Sequence, residues 1–149
     1  MFRRKWNRTN SFRPHLVTAL SVFFLVGAAI SLTASLSLFQ PNSFLEPMWR
    51  LNIRAHRNFS SLGLWAVVML SAVSALCAAA ALGLWRGSKW GYWLAVGLMA
   101  TNLVGDATNV VLGIEPRAIV GVPIATAVLA YLLLSKTVRH FFSTSKAST

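Results

Sequence analysis

Three carboxylates make up the whole acidic complement of this chain: Glu46, Asp106 and Glu115. Glu46 and Glu115 each precede a proline in a short polar stretch, whereas Asp106 lies inside an apolar run. Asn102 stands four positions before Asp106 and Asn109 three after it. On a helix those intervals put all three side chains on one face, with Thr101, Gly105 and Thr108 beside them. A carboxyl group flanked by two amides in an apolar setting has three uses. It can fasten helices, either neutral or paired with a cation such as Arg54, Arg57 or Arg117. It can exchange a proton or cation in transport, or it can hold a lipid headgroup or a partner subunit. All three stay open, and Asn102, Asp106, Asn109 and Arg117 form the candidate polar site. Hydrolysis and group transfer need a second acid or base, a nucleophile or a metal, none of which the pattern supplies. The chain is therefore not expected to be an enzyme.

Metal and redox chemistry find no foothold either. Cys77 is the single cysteine and sits in an apolar run, so it reads as a small packing residue. His15, His56 and His140 are far apart in sequence and read as interfacial or solvated side chains. With no Cys/His cluster at zinc spacing, no metal or cofactor is expected.

The element that must position Asp106 is a membrane span. Hydrophobic residues are 56% of the chain and charged residues 11%, less than half of the roughly 25% a soluble domain carries. The apolar residues also fall in runs too long for a soluble core helix. Four spans are expected, at residues 16–39, 61–85, 91–113 and 119–135. A basic arm (1–15), a loop (40–60) and a C-terminal tail (136–149) complete one integral-membrane domain. The first span imitates a signal peptide, with a basic start and small residues around Thr33, Ala34 and Ser35. It is longer than a typical signal core and lacks a clean cleavage pattern, so it reads as an uncleaved anchor. In the loop, Arg50, Arg54 and Arg57 recur after Pro47 at helical spacing, opposite Met48, Leu51 and Ala55. Either a short interfacial helix or an irregular linker satisfies that pattern.

Charge sets the expected orientation. The formal net charge is +11, from 14 Lys plus Arg against 3 Asp plus Glu. The basic residues cluster at span ends without a nucleic-acid-binding fold, so the expected partners are the bilayer and the anionic headgroups of its cytoplasmic face, not nucleic acid. Ten basic residues lie in the N-terminal arm, the Arg86/Lys89 turn and the C-terminal segment; Arg50, Arg54, Arg57 and Arg117 lie opposite. The excess predicts both termini on the cytoplasmic side, as an even number of spans requires. Trp85, Trp90, Tyr92 and Trp93 crowd the Arg86/Lys89 turn and mark a headgroup boundary. The fold class expected is an all-α membrane protein, an antiparallel bundle of four transmembrane helices.

Small residues supply stripes for close packing: Gly27, Ser31 and Ser35; Ser71, Ser74, Ala75, Ala78 and Ala81; Gly97, Thr101 and Gly105; Gly121 and Ala125. Phe23, Phe24, Val67, Leu70 and Leu103 are expected to face lipid. A homo-oligomer or a partner membrane subunit is compatible with these stripes. Four short helices barely enclose a polar path alone, so a small-solute or proton-coupled transporter using Asp106 would work as an oligomer.

The segments GLWRGSKWGYWLA, NLVGDATN, PRAIVGVPIA and YLLLSKTVRHFF, between Gly83 and Phe142, resemble a pattern in small uncharacterised bacterial four-helix integral-membrane proteins. The resemblance implies a bacterial inner-membrane setting and groups Asp106 with Arg117 in a shared pattern. It implies no substrate and transfers no site residue.

Overall fold

The computed structural model describes residues 15–40, 44–114 and 116–144, without the side chains of Glu46, Pro116, Arg117, Ser143 and Thr144. Most of the basic N-terminal arm, Glu115 and the end of the tail therefore lie outside the described residues. Among the described residues the chain is all-helical, with no strand. Helix α1 is His15–Phe39, α2 Ile53–Leu62, α3 Leu64–Trp85, α4 Lys89–Val111, α5 Gly121–Leu134 and α6 Lys136–Thr144. Short 3-10 segments, Glu46–Leu51 and Pro116–Val120, precede α2 and α5.

Three of these helices, α1, α3 and α4, are long and apolar enough to cross a membrane. At 25, 22 and 23 residues each reaches past the roughly 30 Å of a hydrocarbon core. Their outward faces present Leu25, Ile30, Val68, Met69 and Leu82, each at least half exposed. A surface so continuously apolar is what hydrocarbon solvates and water does not.

The fourth span is broken. Ala118–Leu134 and Lys136–Phe142 meet at a 63° bend, so the chain has four spans only if that bent pair counts as one. Ser135 causes the bend by leaving the helical region, with ψ at 111°. Its hydroxyl accepts from the Val138 amide at 3.4 Å, and its carbonyl accepts from the Arg139 amide at 3.1 Å. Ser135 thus starts a new helix as its N-cap rather than extending the old one. Inside the stretch that the sequence reads as a tail, α6 buries Val138 and Phe142 and exposes Lys136, Arg139 and His140.

Spatial order follows chain order: α1 packs on α3, α3 on α4 and α4 on α5. Each neighbour runs antiparallel, as the meeting residues show. Ser35 meets Ser71 while Ala28 meets Ser74. Tyr92 meets Leu132 while Asp106 meets Gly121. The α1/α3 seam is built on small polar residues: Ser35 and Ser71 share a 2.8 Å hydrogen bond, and the Ser74 hydroxyl donates to the Ala28 carbonyl at 2.8 Å. Hydroxyls suit such a seam because they bridge backbones that no bulky side chain holds apart. At the α3/α4 turn Gly83 and Gly91 touch backbone to backbone, and a Cβ built on either would collide with the other residue.

The loop of residues 40–60 is helical from Ile53, and the helix continues to Leu62. Asn52 caps it, its side-chain oxygen accepting from the Ala55 amide at 3.0 Å. Gly63 then breaks α2 from α3 with φ of 55°, a conformation that only glycine adopts without strain. The sequence-derived second span, beginning at residue 61, crosses this break. Trp49 ties the loop down. Its indole N–H donates to the Ser37 hydroxyl at 3.0 Å, and its ring stacks on His56 at 4.9 Å between centroids. Arg50, Arg54 and Arg57 are all exposed.

Two packing expectations are corrected. Phe24 does not face lipid: it is 3% exposed, on the α1 face shared with Val17, Leu20 and Ala28. Position on the helix, not ring size, decided its side. The Gly97, Thr101 and Gly105 stripe of α4 is exposed, and nothing approaches within 4 Å of a Cβ on either glycine. The buried residues Ala95 and Met99 lie two positions before Gly97 and Thr101, about 200° around the helix. The face used for packing is therefore the opposite one. Val67, Leu70 and Leu103, expected toward lipid, are half-buried.

Candidate functional site

The packing face of α4 runs from Tyr92 through Ala95, Met99 and Leu103 to Asp106. Tyr92, Ala95 and Met99 are buried, while Leu103 and Asp106 are half-buried, so the face changes from apolar to polar along its length. At the polar end it meets Gly121, the first residue of α5. The Asp106 carboxylate lies where a side chain on residue 121 would begin: a Cβ built there would overlap its Oδ2 and stand 2.9 Å from its Cγ. Any residue but glycine would push the carboxylate away. The amide of Asn102 donates to Asp106 Oδ2 at 3.3 Å, a pairing that the four-residue spacing allows.

The structure therefore brings together Asn102, Asp106 and Gly121. Asn109 follows on the same side, half-buried, and its backbone carbonyl accepts from the Ile114 amide at 3.0 Å to close the end of α4. Thr101, Gly105 and Thr108 are exposed, and the Thr108 hydroxyl bonds to the Val104 carbonyl of its own helix. Among the described residues neither Arg54 nor Arg57 forms an ion pair with Asp106; both stand exposed on α2, which packs against α3 and the preceding 3-10 segment. The Arg117 side chain lies outside the described residues. Among those residues no group of three or more His, Cys, Asp or Glu side chains gathers as a metal would need.

At the other end of the α4/α5 pair, the Tyr92 hydroxyl donates to the Leu132 carbonyl at 2.9 Å. That carbonyl lies in the last turn of α5, where helical partners run out. Tyr92 is 7% exposed, and its ring packs on Phe142 of α6 at 5.2 Å. Sequence reasoning took Tyr92 for a surface marker and missed this tie. The available signal was its spacing from Ala95, Met99 and Asp106, which places it on one face with them. No family model, curated protein or solved structure matches this chain.

Proposed function

We propose that the chain is a small multi-pass protein of a bacterial cytoplasmic (inner) membrane, structural or accessory in role and not an enzyme. In this reading four helices form an antiparallel transmembrane bundle with both termini cytoplasmic. Asp106 serves as an interhelical tie between α4 and α5. The observation that carries the reading is the fit of the Asp106 carboxylate onto Gly121, with Asn102 donating to it. A carboxyl group that fills the space a side chain on residue 121 would need, beside a single amide, suits fastening better than turnover. Its expected partners are the bilayer, anionic lipid headgroups at the cytoplasmic face, and a second copy or another membrane subunit.

Three variants test the role of Asp106 by melting temperature in detergent beside solute and proton flux in vesicles. Asp106→Asn keeps hydrogen bonding and volume and is expected to be mild. Asp106→Leu is expected to lose ~1–2 kcal/mol of stability, through the lost fit on Gly121 and the lost bond from Asn102. If Asn and Leu variants both melt like wild type, Asp106 is no tie. Transport is the second reading, favoured by the exposed Gly97, Thr101 and Gly105 face beside exposed Asn102, against which another copy could complete a polar path. Under transport, Asp106→Asn abolishes flux at normal stability while Asp106→Glu keeps part of it.

Orientation has its own test. In a background without Cys77, Asn58→Cys in intact cells is expected to react with a membrane-impermeant thiol reagent, and Ser88→Cys to stay protected. Labelling of residue 88 alone would invert the orientation.

A further inference from the structure

A cleft of about 400 Å³ opens between the first turn of α4, the end of α5 and α6, lined by Lys89, Tyr92, Trp93, Leu133, Arg139 and Phe142. Its walls divide by chemistry. Lys89 and Arg139 bring two cations from different helices, both exposed and, among the described residues, without a carboxylate partner. Acids are scarce here: Asp106, the one acid with a described side chain, lies 17 residues along α4 from Lys89, about 25 Å away. Lys89 is also the first residue of α4, where the helix dipole adds positive potential. The rest of the lining is aromatic and aliphatic.

We propose that this cleft binds one anionic glycerophospholipid, its phosphate between Lys89 and Arg139 and its acyl chains along the apolar wall. Charge and shape argue for a lipid over a free anion. Trp93, 64% exposed, and Leu133, 39% exposed, carry the apolar lining outward onto the surface of α4 and α5. A soluble phosphate has no use for such a wall; a phospholipid does. Depth agrees, because Trp85, Trp90 and Trp93 ring the same turn and are all exposed, as headgroup-level indoles are. Beyond the 63° bend at Ser135, α6 contributes Arg139 and Phe142 to the same cleft that Lys89 lines.

The inference rests on the membrane reading but not on which face is cytoplasmic, so the labelling experiment can fail without touching it. The test uses the full chain in mild detergent doped with equal phosphatidylglycerol and phosphatidylcholine, with bound lipid counted by native mass spectrometry. Wild type is expected to retain one phosphatidylglycerol in preference to phosphatidylcholine. Lys89→Gln with Arg139→Gln is expected to lower that retention about tenfold or more, each lost cation weakening the attraction. Arg54→Gln with Arg57→Gln, the same change of charge at the other end, is expected to leave it intact, as is the charge-keeping pair Lys89→Arg with Arg139→Lys. Equal retention of the two lipids by wild type would overturn the proposal, as would equal loss in the Arg54/Arg57 pair. Displacement of the lipid by millimolar inorganic phosphate would reassign the cleft to a soluble anion and overturn it too.

Discussion

The two ends of the α4/α5 pair are held by different means. At one end Leu84, Leu132 and Val138 are fully buried, Phe142 nearly so, and Tyr92 closes the set with a buried hydrogen bond. At the other end Asn102 is exposed, Asp106 and Gly121 are half-buried, and a carboxylate resting on a glycine replaces the apolar core. The first end is over-determined, since core packing, a ring contact and a hydrogen bond all fix the same geometry. Among the described residues the second shows one close side-chain fit, beside the packing of α4 on the Pro116–Val120 segment. A polar tie outside the apolar core is where a membrane bundle can be opened, by a partner or by a change of protonation, while the opposite end keeps the helices together.

Breaking the tight end is expected to have the largest effect. Gly91→Ala places a methyl against the Gly83 backbone, which no rotamer change relieves, and is expected to cost about 3 kcal/mol. Thermal melting in detergent measures it; a wild-type melting temperature would mean that the α3/α4 turn is not held as tightly as described. Tyr92→Phe comes next. It keeps the ring against Phe142 and removes only the hydroxyl, leaving the Leu132 carbonyl without that donor, for an expected loss of ~1 kcal/mol. If Tyr92→Phe melts no lower than Asp106→Asn, the contrast between the ends is smaller than their packing implies. The smallest change is expected for Gly97→Leu, which enters open space and should stay within about 0.5 kcal/mol. Destabilisation beyond that, together with loss of a crosslinked dimer, would show that a second copy covers this face.

The three long helices were legible because length and hydropathy alone decide them, whereas the helix within the loop between α1 and α3 was only one of two open readings. The site was legible in part. Intervals within one helix placed Asn102 beside Asp106, but the Gly121 contact depends on how α4 and α5 cross, and no single-helix pattern encodes that. The same gap explains Gly97, Thr101 and Gly105. A small-residue stripe says that a backbone can be approached, not that a neighbour within the chain does so. Phe24 fails for the converse reason, since on an apolar helix no polar face marks which side is out. The end of the fourth span at Ser135 was legible, but the further helix Lys136–Thr144 was not, because only the extended backbone of Ser135 reveals it as a cap. Trp49 lay in a loop dense with turn residues, where its hold on Ser37 left no periodic trace.

The serine seam between α1 and α3 bears on how stability should vary with temperature. Parting those helices within a bilayer or micelle would uncover apolar surface to hydrocarbon, not to water. The heat-capacity increment that curves the stability of water-soluble domains comes from hydrating such surface. For this seam that increment should be small, and the hydroxyl bonds of Ser35, Ser71 and Ser74 carry an enthalpy that cooling does not erode. The free energy of holding α1 on α3 should therefore rise almost linearly as temperature falls, with no maximum and no cold-labile branch.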